Sequence, residues 1–321
     1  MMSWRPSASL AVLTERARLL RSTRDFFAER GVLEVETPLL GRATVTDVHL
    51  ASLSTRLAGA NATFYLQTSP EYAMKRLLAA GSGDIYQICK AFRDEPGGRH
   101  HNPEFTLVEW YRTGWDHRAL MDDVEALLVR LLGPRLREPA ERLGYAAAFE
   151  RVLGVDPFAA PIEALAGLAA RRLGADARTH GGDRDTLLEL LMGALVGPAL
   201  GIGRITFIDA YPASQAALAR LLPGVPATAA RFEAYVEGIE LCNGFHELGD
   251  SIEQRQRFDA DLGARAARGL PPVPVDERLL AALAAGLPDC AGVALGFDRV
   301  VMLATGVPSL EAAMPFTVDG A

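Results

Sequence analysis

Long apolar runs are missing from this 321-residue chain. No stretch approaches the ~18 residues needed to span a bilayer, and no charged-then-apolar leader opens the chain. A membrane protein is therefore not expected, and a cytoplasmic location is. Cysteine is scarce: Cys89, Cys242 and Cys290 are odd in number and far apart. That argues against a disulfide framework or a zinc site and for a reducing compartment. A basic excess is absent as well, the formal net charge being −7. Phosphate neutralisation drives nucleic-acid affinity, so a general nucleic-acid binder is not expected, although local basic patches stay open. There is no glycine-rich dinucleotide fingerprint, Walker loop, internal repeat or low-complexity tract beyond alanine enrichment. What remains is an ordinary globular composition, 49% hydrophobic and 23% charged, in a chain long enough to bury a large core.

Leu10, Leu13, Ala17, Leu20 and Phe27 recur at helical spacing, and Gly31 sits where that helix should stop. A short strand, Val32 to Glu36, follows and is halted by Pro38. Ser69-Pro70-Glu71 predicts a helix start, with Ser as cap, Pro at the first position and Glu at the positive end. Gly81 ends that helix. Residues from about 116 to 200 are Ala/Leu-rich, with breaks at Gly133-Pro134 and Gly181-Gly182, and predict a helical insertion packed beside a sheet. Strands are expected at Ile205 to Ala210, Phe232 to Leu241 and Val293 to Leu295. Ser251 and Gln254 form a capping box for a helix running to Arg268. Strands with Gly/Pro turns, flanked by helices, describe one α+β domain over the whole chain around a mainly antiparallel sheet.

The most informative stretch is Ile85-Tyr-Gln-Ile-Cys-Lys-Ala-Phe-Arg93-Asp94-Glu95, followed by His101-Asn102-Pro103-Glu104-Phe105-Thr-Leu-Val-Glu109-Trp-Tyr111. It reads as two strands joined by a Gly/Pro/His-rich loop. Alternation places Phe105, Leu107, Glu109 and Tyr111 on one face of the second strand. A fixed guanidinium suits a phosphate bidentately, and an aromatic face suits a purine. Near the other end stands Gly292-Val-Ala294-Leu-Gly296-Phe-Asp298-Arg299.

These segments resemble motifs 2 and 3 of the class II aminoacyl-tRNA synthetases, and Phe26 to Pro38 resembles motif 1. Thr68-Ser69-Pro70-Glu71, His101 to Phe105 and Gly238-Ile-Glu240-Leu-Cys-Asn243-Gly244-Phe-His-Glu247-Leu are similar to the lysine subclass. Ala266 to Pro271 and Pro288-Asp289-Cys290 narrow the resemblance to the elongation factor P lysyltransferases, from about Trp4 onward. The resemblance implies a class II catalytic fold and no anticodon-binding domain, since motif 1 falls within the first ~40 residues. ATP and Mg2+ are the implied cofactors. (R)-β-lysine or lysine is the implied substrate, elongation factor P the acceptor, and a homodimer the assembly, with no tRNA.

Residue roles follow from the same likeness. Arg93 would clamp the α-phosphate and the attacking carboxylate, and Arg299 would cover the purine and reach the terminal phosphate. Asp94, Glu95, Asn102, Phe105, Glu240, Leu241 and Gly296 complete the implied ATP set. Ser69, Pro70, Glu71, Tyr111, Glu247 and Ala294 form the implied substrate set. Glu240 and Glu247 are the implied magnesium acids. Seven apart on a regular strand, they would face opposite ways unless Asn243-Gly244 makes a turn or bulge. Glu247 is claimed by both the metal and the substrate amine. Two departures from lysyl-tRNA synthetases stand out. Arg99-His100-His101 replaces Arg-His, so either Arg99 shifts or a histidine takes part of its load. Ala294 stands where glycine is usual, which shapes the amine pocket for a different isomer or is simply a well-fitting strand residue. Two rivals stay open: a truncated lysyl-tRNA synthetase-like enzyme with another acceptor, and a non-catalytic paralogue.

Overall fold

A computed structural model describes residues 4–59, 61–174 and 183–321. The expected break at Gly181-Gly182 lies outside them. The chain forms two compact units: residues 4–116, 130–132 and 247–321 make the first, and 117–129 and 133–246 the second. The second therefore extends beyond the insertion expected at about 116–200.

In the first unit, α1 (Leu10–Ala28) is capped by Ser9, whose Oγ accepts from the Val12 amide. Gly31, at φ +67°, ends the turn after it, as its sequence position predicts. Strand β1 is shorter than expected, Leu33–Glu34, and pairs parallel to a later strand. A small sheet follows from β2 (Leu40–Gly41), β3 (Ser54–Arg56) and β4 (Thr63–Leu66). Helix α2 (Glu71–Ala79) leads to β5 (Ile85–Phe92) and β6 (Glu104–Thr113). These two strands pair antiparallel in full register from Ile85 opposite Tyr111 to Phe92 opposite Glu104. On α1, Phe27 stacks on Tyr86 of β5 at 4.3 Å and meets Trp110 of β6 edge-on at 5.3 Å. Each such buried aromatic contributes about 1.5–3 kcal/mol through apolar burial, which fixes α1 against the strands that carry the site.

The second unit begins with most of α3 (His117–Leu132), which stops at the expected Gly133-Pro134 break. An unexpected strand, β7 (Glu141–Gly144), precedes α4 (Tyr145–Leu153), α5 (Ile162–Leu173) and α6 (Arg184–Leu191). Then come β8 (Thr206–Pro212), β9 (Leu221–Leu222), β10 (Thr228–Val236) and β11 (Ile239–His246). β7 runs parallel to β8, while β8, β10 and β11 are antiparallel. The strand expected from Phe232 to Leu241 is in fact two. Glu237 and Gly238, both at positive φ, turn β10 into β11, and that pair of conformations is what a two-residue hairpin requires. Tyr145, Phe149, Leu165, Leu188 and Tyr211 belong to this unit's core.

The first unit resumes with α7 (Ser251–Ala267) and α8 (Glu277–Gly286), then β12 (Cys290–Gly296), α9 (Phe297–Thr305) and α10 (Leu310–Ala313). The cap of α7 is Asp250, whose carboxylate accepts from Ile252 and Glu253, so Ser251 lies inside the helix and the expected capping box does not form. β12 pairs antiparallel with β6, placing Gly292, Ala294 and Gly296 opposite Tyr111, Glu109 and Leu107. The architecture is α+β with a mainly antiparallel sheet, as expected.

Candidate active site

One face of β6 carries Phe105, Leu107, Glu109 and Tyr111, as period-two alternation predicts. Directly opposite residues on antiparallel strands share a face, so Gly292, Ala294 and Gly296 of β12 lie beside that row. Gly292 leaves space that its neighbours use: a Cβ there would overlap the Tyr111 ring and stand 2.5 Å from Glu247 Oε1.

Three carboxylates gather at the Tyr111 end. Glu109 is buried, and its two oxygens accept from Ser69 Oγ (2.7 Å) and Tyr111 OH (2.8 Å). Ser69 Oγ also accepts the Glu71 amide at 3.0 Å. That bond is the capping contact expected of Ser69 at the start of α2, although the first helical turn is assigned from Pro70 and Glu71. Lys75, one turn along α2 from Glu71, sets its ammonium 2.7 Å from Glu71 Oε1 and 2.6 Å from Glu247 Oε2. Lys75 and Glu247 are each 1% exposed. Burial works against the Lys75 charge, but Glu247 and Glu71 outweigh it and hold its pKa above the ordinary value. For Glu109 the balance differs: burial, then the charge of Glu71, pushes its pKa up to about 8.

At the other end of the same strand face, about 14 Å away by strand rise, stands the Phe105 ring. The Arg93 guanidinium lies 5.1 Å from its centroid. Arg93 sits just past β5, its amide bonded to Pro103 O. Asp94 is exposed and Glu95 half-buried in the same loop. Asn102 is buried, donating to Glu104 O at 2.6 Å and accepting from the Val318 amide at 3.2 Å, so it braces the loop. Arg299, in the first turn of α9 after Gly296, donates to His100 O (3.3 Å) and stands 3.1 Å from His101 Nε2. Arg99 instead donates to Pro308 O at 2.9 Å. Of the two alternatives for this loop, a histidine is the group beside Arg299. Burial first, with Arg299 next for His101, lowers that ring's pKa and favours its neutral form.

Asp298 anchors this end. Its Oδ2 accepts the Thr106 amide of β6 at 2.6 Å, and Oδ1 pairs with Arg16 of α1 at 2.6 Å. Arg16 in turn donates to Thr106 Oγ1. The aspartate before Arg299 thus locks α9 onto β6 and leaves the arginine to point elsewhere.

In the second unit, Glu240 is half-buried on β11, and Leu241 is buried, 1% exposed. The expected turn or bulge at Asn243-Gly244 does not form. Both lie in regular register, and the irregularity falls between Glu240 and Cys242, where Leu241 is the extra residue. Asn243 Oδ1 accepts from Arg231, which also pairs with Glu233 at 2.7 Å. A cavity of about 260 Å³ in this unit lies against Glu141 and Arg151. Those two charges already satisfy each other through paired bonds of 2.9 and 3.0 Å.

Among the described residues, no three His, Cys, Asp or Glu side chains are arranged to hold a metal ion. Glu109, Lys75 and Asp298 are the residues sequence reasoning did not assign. Glu109 had a signal, an acid on the same strand face as Phe105 and Tyr111. Lys75 had only its i+4 spacing from Glu71.

Comparison with known proteins places this geometry in context. Residues 1–320 match the family described as tRNA synthetases class II (D, K and N). Proteins of Salmonella dublin and Salmonella heidelberg, each called elongation factor P--(R)-beta-lysine ligase, are 52% identical to this chain. In both cases the match runs over 323 residues, covering 99% of this chain and 98% of the relative.

Proposed function

The chain belongs to the class II tRNA synthetases of the D, K and N type, and from that premise we propose that it is an ATP-dependent ligase for elongation factor P. It activates (R)-β-lysine as the adenylate and passes the lysyl group to the ε-amine of one lysine on that protein. The names and full-length identity of the relatives support the acceptor and the substrate. The observation that carries the reading is the three-carboxylate pocket of Glu71, Glu109 and Glu247 at one end of a strand face whose other end holds Arg93 and Phe105.

The chemistry needs little acid-base help. The amino acid's carboxylate attacks the α-phosphorus, the α–β bond breaks, and pyrophosphate leaves. Arg93 neutralises charge growing on the α-phosphate, and Phe105 and Arg299 stack on the purine. Asp94, Glu95 and Gly296 line the nucleotide, and Asn102 holds the loop. His101 beside Arg299 shares the contact with the terminal phosphate. The acceptor amine then attacks the adenylate carbonyl, and AMP departs as the amide forms. Ser69, Pro70, Glu71, Tyr111 and Glu247 surround the substrate's amines. Ala294, opposite Glu109, narrows the pocket by one methyl and selects the β isomer over α-lysine.

Magnesium fits as a companion of ATP rather than as a resident ion. It is ligated largely by phosphate and water and requires few protein oxygens, a need Glu240 can meet. Glu247 is unsuited to the metal, because an ammonium already stands 2.6 Å from its carboxylate. When bound, the ion neutralises the phosphates. A homodimer, built on α1 and the strand ended by Pro38, is consistent with the exposed Leu33, Leu39 and Leu40. Cytoplasmic action without tRNA completes the reading. Incubating elongation factor P with ATP, (R)-β-lysine and the enzyme should add one lysyl mass by mass spectrometry. An unmodified acceptor in the presence of an enzyme that exchanges pyrophosphate would remove the acceptor assignment.

A further inference from the structure

Of the 33 Lys and Arg residues in the chain, only Lys75 and Lys90 are lysine. A sequence that supplies almost every cation as arginine keeps an ammonium at its most buried basic position. The geometry explains why. Arginine's planar fork suits one carboxylate or phosphate bidentately, whereas an ammonium is a compact charge whose donors can serve carboxylates arriving from different directions. Lys75 serves two: Glu71 from its own helix and Glu247 from the segment ahead of α7. Three acids close together would repel, and isolated buried charge is costly, so such a cluster stands only if cations balance it.

We propose that Lys75 is a positioning and specificity-determining residue of the amine pocket. Its ammonium clamps Glu71 to Glu247 and fills one of three cation places, leaving two for the substrate. This deepens the proposed function and rests on it. With Glu71 and Glu247 ionised, one ammonium leaves one negative charge unmatched, and ionising Glu109 opens a second cation place. (R)-β-lysine brings two ammonium groups. An amino acid with a single ammonium fills one place only, leaves Glu109 holding its proton and forgoes the second ion pair. The charge count therefore selects diamino acids as a class, while Ala294 distinguishes isomers within it. Two phenols stand near these acids, Tyr111 bonded to Glu109 and Tyr72 next in the chain to Glu71; burial raises the pKa of both, so both stay neutral.

The test is pyrophosphate exchange with (R)-β-lysine, run in parallel on wild type and three variants whose melting is recorded first. Lys75→Gln should raise KM about 30-fold, as expected for breaking a buried ion cluster, with kcat at saturation changed less than about threefold. Lys75→Arg should lie nearer wild type, since it keeps the charge. In Lys75→Ala, propylammonium replaces the deleted atoms and their charge, and should lower KM or restore melting where the neutral 1-propanol does not. Equal rescue by both additives would mean Lys75 only fills space, and the proposal would fall. Unchanged KM in Lys75→Gln would overturn it too, leaving the ligase reading intact. Absence of exchange in the wild type would instead overturn the ligase reading, and this inference with it.

Discussion

Glu109 is a carboxylate whose charge depends on what stands beside it. Buried, and close to Glu71, it holds its proton up to about pH 8 without a ligand. A substrate ammonium prefers the ionised form, so binding displaces that proton. KM for the amino acid should fall by up to about tenfold per pH unit from pH 6 toward 8, then level off. Glu109→Gln should raise KM and flatten this profile; a profile that stays sloped would assign the titration to another group. The sign for folding is opposite. The folded pKa is raised, so the folded state keeps a proton that the unfolded state releases between about pH 4.5 and 8, and this group's contribution to stability declines across that window. At this scale the sequence showed the types well. Arg93, Phe105, Glu71 and Tyr111 were all legible from motifs. Ser69 was legible as a helix cap, since its Oγ accepts the Glu71 amide, but not as a donor to Glu109, because a partner forty residues away is a tertiary fact.

Helix α9 carries Arg299, and Asp298 sets where that helix starts. Asp298 bonds the Thr106 amide and pairs with Arg16 while nearly fully buried. Asp298→Asn should cost about 3 kcal/mol, the penalty for stranding one partner of a buried ion pair. Urea unfolding would measure it. The same variant should raise KM for ATP more than KM for the amino acid, because the proposed amine pocket lies at the other end of β6. Equal changes in both would place the role of Asp298 elsewhere. Elements with strong local signals were readable: α1 with its helical spacing and Gly31 stop, and the β5–β6 pair that brackets the Arg93 loop. The hairpin at Glu237-Gly238 was not, since glutamate is an uncommon residue at positive φ. The irregularity at Leu241 was misplaced to Asn243-Gly244, where the composition pointed.

For the molecule as a whole, the net charge of −7 with a protein acceptor, and the proposed homodimer, lead to two expectations. Labelled (R)-β-lysine should enter elongation factor P and not acid-precipitable tRNA, and sedimentation should show twice the chain's mass. Label in tRNA would restore the truncated-synthetase reading. The described residues contain no helix long and apolar enough to cross a membrane. The sequence by itself determined the fold family and the residue types of the Arg93–Phe105 end of the strand face, because backbone-forming periodicity and short motifs are local. Only the tertiary structure decided which charges stand together at the Tyr111 end. Glu71, Glu109, Lys75 and Glu247 come from three separate stretches of chain, and no spacing along it reveals that one ammonium would be buried between two of those acids.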